Sequence, residues 1–172
     1  MVRYVHHQLI TVAEAAAAMA VTVPAVLVLR DLSKPSAGFW QVGVPLMAFL
    51  AVFGLLSCTV RRLGGEIRDY EAALPLADPD SVLPTPQDSL RRSFDVGFVG
   101  FTVVTCLVIA LAWEPLVAYW PLVPVPDRVV RGAYAARWER RHGLLLWRGH
   151  VADQPLGAKQ YLYSSVRQPA AR

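Results

Sequence analysis

The chain has 172 residues, 55% of them hydrophobic and 17% charged, with a formal net charge of +4. A soluble domain of this length ordinarily carries more charge, and the apolar residues here are gathered in blocks rather than dispersed, which speaks against a water-soluble catalytic domain and for a helical membrane protein. Lys34 and Lys159 are the only lysines and asparagine is absent, so N-glycosylation is excluded, and the arginine and alanine bias fits a high-GC bacterial genome.

Taken in chain order, no charge interrupts 15–29, 35–60 or 96–113. An 18-residue helix covers roughly 27 Å, close to the hydrocarbon thickness of a bilayer. The expected fold is therefore all-α, with transmembrane helices at about 9–29, 41–60 and 95–115. The first resembles a secretory leader in having Arg3 ahead of an apolar run, but it continues through Pro24 to Leu29 with no good cleavage site, and it reads as a retained helix. Pro35 ends it, and a short turn leads to the second span. The linker 61–94 contains a short helix-compatible stretch, 66–74, and a proline-rich run, 75–86. Thr85, Pro86 and Asp88 form a helix-start signal from which the third helix is expected to run into the membrane near Asp95.

Segment 114–127 is apolar but holds four prolines (Pro115, Pro121, Pro124 and Pro126), so an interfacial or re-entrant stretch is expected rather than a fourth span. A basic polar tail, 128–172, follows the transmembrane domain 1–127. Its first part suits a helix, and 144–151 and 160–166 suit a small β-hairpin.

Arg61, Arg62, Arg91 and Arg92 flank the second linker, which the positive-inside rule places in the cytoplasm together with Arg3; these arginines are also the expected contacts for lipid headgroups. Phe39, Trp40, Trp113, Tyr119 and Trp120 would share the opposite interface. Three spans put the arginine-rich tail outside, against the charge rule, whereas a fourth crossing through 114–130 would satisfy that rule against the prolines. Three spans is the expectation.

Glu14 is the one acid well inside a span, the pattern of an intramembrane functional group, although a structural ion pair is the commoner role. Ala13, Ala17 and Ala20 in the first span, with Ala48, Ala51 and Gly54 in the second, suggest small faces that pack in a tight helical hairpin. Cys58 and Cys106 should lie at different depths and remain unpaired. His6 and His7 project about 100° apart on a helix and make a poor metal pair. Glu139 and His142 have a ligand-like i,i+3 spacing without the second copy that a di-iron helix bundle requires. Glu114, Asp127, His142 and His150 are the only polar group worth testing for catalysis. No metal, cofactor or catalytic motif is recognisable, and nucleic acid is a weaker partner for the basic tail than a lipid surface.

The expected protein is thus a multi-pass component of a bacterial plasma membrane. It would act without catalysis, as an accessory, scaffold or partner-binding subunit in contact with lipid and with another membrane protein or a second copy. The alternative is a subunit of an oligomeric transporter or channel that uses Glu14.

Overall fold

The computed structural model describes residues 1–30, 39–59, 66–79, 83–84 and 94–166. Thr85 to Asp88 and the four arginines Arg61, Arg62, Arg91 and Arg92 lie outside the described residues.

The chain opens with a short strand, β1 (Val2–Arg3), and passes directly into α1 (Tyr4–Leu29). With 26 residues, α1 is about 39 Å long. The second long apolar helix is made of a π-helical turn, Phe39–Gly43, running into α2 (Val44–Thr59). Two helices, Tyr4–Leu29 and Gln41–Thr59, are long and apolar enough to cross a membrane. The linker supplies α3 (Glu66–Glu71) and β2 (Leu74–Pro75).

The third apolar helix, α4 (Val96–Ala112), has 17 residues and starts later than the Thr85 signal suggests. Asp95 is extended, and its carboxylate accepts a hydrogen bond from the Phe98 N–H at 3.0 Å, so the helix is capped there rather than continued from the linker.

The proline-rich segment departs most from expectation. Pro115–Leu122 forms a 3-10 helix, and α5 (Val125–His142) follows almost at once. The prolines are tolerated because most stand where a helix begins. Pro115 opens the 3-10 helix behind Glu114, whose side chain accepts from the Leu116 N–H, and Pro124 and Pro126 flank the first residue of α5. At such positions the missing N–H would have had no intrahelical partner in any case. At the other end, Gly143 adopts φ +65°, the left-handed turn that ends a helix, behind Arg140, Arg141 and His142.

These contacts fix the path of the chain. The Asp95 N–H meets Glu14, and Arg30 reaches the carbonyls of Leu111 and Trp113, so α4 runs alongside α1 in the same direction. The 3-10 helix then turns back, with the Thr22 hydroxyl donating to the Ala118 carbonyl at 3.1 Å. Next, α5 brings Arg128 to Gln8 and Glu139 to Arg3. Segment 115–142 therefore retraces α1 along its length, and the tail returns to the end of the bundle where α1 starts. The expected boundary at 127/128 falls inside α5.

At that end lies a four-stranded sheet, which an all-α description omits, in the order β1-β3-β4-β2. The expected hairpin is its centre: β3 (Leu144–Arg148) pairs antiparallel with β4 (Tyr163–Val166). On its flanks, β1 pairs antiparallel with β3, and β2 pairs parallel with β4. Below the sheet Tyr4, Tyr70, Ala135, Trp138, Leu146 and Leu162 form a buried core, with Tyr70 edge-on to Tyr4 at a ring distance of 5.6 Å.

The expected hairpin of α1 against α2 is not formed. Both helices pack chiefly on α5, which provides a partner for each. In α1 the buried line is Ile10, Glu14, Ala15, Ala18, Thr22 and Val26, while Ala13 and Ala20 are exposed and Ala17 is half-buried. In α2, Ala48 is exposed and Ala51 half-buried, and burial is confined to Gly54, Ser57 and Cys58. Gly54 has a definite reason to be glycine: a Cβ there would stand 2.5 Å from Asp127 Oδ1 and 3.4 Å from its Cα. Gly54→Val should lower stability by about 1–3 kcal/mol through overpacking, whereas Ala48→Val on the exposed side should stay within about 0.5 kcal/mol. Thermal melts of both variants in detergent check the difference, and equal effects would contradict the packing of α2 on α5.

Candidate functional site

Charge is concentrated where α1, α3 and α5 meet. Glu66, at the start of α3, accepts from the Tyr4 hydroxyl at 2.7 Å and the Tyr70 hydroxyl at 3.2 Å, and it pairs with Arg131. The Arg131 Nε also binds both Asp127 oxygens at 2.8 Å, one turn back on α5. Burial, followed by the nearby Tyr4 and the negative charge of Glu66, pushes the Tyr70 hydroxyl far above its ordinary pKa. Burial, reinforced by Glu66, also raises the Asp69 carboxyl. Tyr70 is thus a fixed hydrogen-bond donor, not a titrating group.

A second pairing ties the sheet to the helices. Glu139, only 1% exposed, pairs with Arg3 and accepts from the Leu146 N–H at 3.0 Å. A buried carboxylate needs this full set of partners.

Between these clusters and the apolar half of the bundle lies a cleft of about 300 Å³ between α1, α4 and the 3-10 helix. Its walls include Phe98, Phe101, Thr102, Thr105, Cys106 and Trp120, and Thr11, Glu14 and Pro124 line it as well. Glu14 is 8% exposed, and its Oε1 accepts from the Asp95 N–H at 2.8 Å. A carboxylate at this point also faces the positive end of the α4 dipole. Of the residues singled out in the sequence, Glu14 lines this cleft together with Cys106 and Trp120.

The others are dispersed. Glu114 caps the 3-10 helix, Asp127 pairs with Arg131, and His150 is exposed. His142 stacks on Trp138 at a ring distance of 4.2 Å while Glu139 turns to Arg3, so their i,i+3 spacing makes no common site. Among the described residues, no group of three or more His, Cys, Asp or Glu side chains could hold a metal ion. Cys58 and Cys106 are both free and buried. Trp113 stands beside Arg30 at the far end of the bundle, whereas Trp120 lines the Glu14 cleft, so the two do not share one aromatic level.

The sequence reading missed Glu66, Arg131, Tyr4, Gln8 and the Arg3–Glu139 pair. Each belongs to a segment that looks solvated in isolation, and only the return of α5 brings the partners together. Comparison with protein-family models, with curated proteins and with solved structures gave no match.

Glu139→Ala should cost about 3–5 kcal/mol by leaving Arg3 facing an uncompensated site. Glu139→Gln, which can still accept from Leu146, should cost less. Chemical unfolding of the two variants tests this, and the reverse ranking would refute the role given to the carboxylate. Tyr4→Phe should cost about 1 kcal/mol through the lost bond to Glu66.

Proposed function

We propose that this chain is a multi-pass membrane protein that works by association, as an accessory or partner-binding subunit. One observation carries the reading: α2 and α4 leave large apolar side chains uncovered along most of their length. Phe49, Val52, Phe53 and Leu55 on α2, with Phe101, Val104 and Val108 on α4, are all exposed. Patches of this extent on a protein mark lipid or partner contact.

The passes would be α1, α2, α4 and a broken fourth formed by the 3-10 helix and the start of α5. In an apolar medium irregular backbone is tolerated only when protein covers it, and the 3-10 helix is packed against both α1 and α4. An even number of passes suits the shared sheet of β1 and β3. It also suits the charge rule, since Arg3, the linker arginines and the tail arginines then lie on one side, facing the cytoplasm of a bacterial cell. The sheet and the charged cluster would form a small head there for protein contact. The bond from Asp95 to Glu14 supports a structural use of that carboxylate and weighs against transport coupling.

Single cysteines at Gly149 and Ala158 should be labelled by impermeant thiol reagents from the same side as a cysteine at Val2, in a Cys58→Ser, Cys106→Ser background. Labelling of the tail from the opposite side would overturn the four-pass arrangement. Recovery of the chain in the aqueous fraction without detergent would overturn membrane residence itself.

A further inference from the structure

We infer that the Glu14 cleft is a binding site for a single-chain phospholipid carrying a free glycerol hydroxyl. This deepens the membrane reading above and rests on it. The cleft is apolar over most of its wall, with Phe98, Phe101, Thr105, Cys106 and Trp120 able to lie along an acyl chain. Its volume of about 300 Å³ suits one chain better than two.

Two polar features mark the head-side end. Glu14 Oε1 is engaged by the Asp95 N–H. Among the described residues, the Asp95 N–H is the hydrogen-bond donor seen at this carboxylate, and none reaches Oε2. A carboxylate oxygen at the mouth of an apolar cleft calls for a donor, which a lipid hydroxyl supplies without bringing a charge into the cleft.

The second feature is Arg128. Its Nε is buried without a hydrogen-bond partner, the one such side-chain atom among the described residues. Its Nη1 has only a long bond, 3.4 Å, to Gln8. Arg128 lies one helical turn beyond Pro124 on α5, and Gln8 lies one turn before Thr11 on α1, while Pro124 and Thr11 both line the cleft. Arg128 is not part of the cleft wall itself but lies one turn from it on the head side, within side-chain reach of a phosphodiester held at the mouth.

From the head inward, the order is cation, carboxylate, apolar wall. A lysophospholipid presents phosphate, hydroxyl and acyl chain in that same order. A diacyl lipid of the same headgroup has an ester in place of the hydroxyl and so offers Glu14 no donor at that position.

The test uses the full chain in a non-ionic detergent, titrated with palmitoyl lysophosphatidylethanolamine and with its dipalmitoyl counterpart, and followed by native mass spectrometry. The single-chain lipid should bind at least about tenfold more tightly. Arg128→Gln and Glu14→Gln should each weaken it by about tenfold or more, and Thr105→Trp, which fills the cleft, should abolish it. Each variant is first shown to melt as the parent does; one that does not is replaced by Gln8→Leu for the head-side end or Thr102→Trp for the cleft. Equal binding of the two lipids, or binding indifferent to these variants, would overturn the proposal while leaving the membrane reading intact. A chain that needs no detergent would overturn both.

Discussion

Backbone N–H and C=O groups tolerate loss of water only when they are paired within the protein. Segment 114–142 is where this constraint is hardest to meet, and the rest of the structure depends on how it is met. A run with four prolines cannot form one α-helix, but it forms two helices in series because three of the four stand at a helix start and Pro121 falls within the 3-10 helix. The 3-10 turn is tighter and longer per residue than α-helix, so its 8 residues carry the chain back about 16 Å along α1. This return delivers α5 to a position against both α1 and α2, where it is the chief partner of α2.

The charged head follows from that delivery. Arg131 and Arg128 are drawn into partly buried positions because α5 is wedged between neighbours, and Asp127, Glu66 and Gln8 receive them there. Ion pairs of this kind add little net stability over apolar packing, because desolvation offsets much of their attraction. Their effect is to penalise alternatives: any register that separates Arg3 from Glu139 or Arg131 from Glu66 strands a charge. Phenolic hydroxyls from Tyr4 and Tyr70 complete the set around Glu66 and hold α3 against the start of α1.

Much of the apolar layout was legible because long apolar helices advertise themselves by long uncharged runs, and α1, α2 and α4 match those runs to within a few residues at most ends. The β3–β4 pair was legible from composition. The return segment was not, because its prolines were weighed as helix breakers when most stand at helix starts, a distinction that depends on the flanking residues. The small-residue face was misplaced for a related reason. Alanine is so frequent in α1 that its positions carry little information, and the line actually buried is set by the neighbours α4, α5 and the 3-10 helix. Glu14 was visible as an isolated acid, but its partner at the start of α4 was not, since no pattern links a carboxylate to an N–H so distant in the chain.

The pairing of β1 with β3 has a consequence for biogenesis. Arg3 and Glu139 are 136 residues apart in the chain, and the strand leading into α1 leaves the ribosome long before its sheet neighbour exists. The segment must wait for its sheet partner while every intervening helix is made. Sheet closure is then a terminal event that only a correctly folded chain can complete, and a chain stalled before the return segment keeps an open strand edge for quality-control proteases to seize.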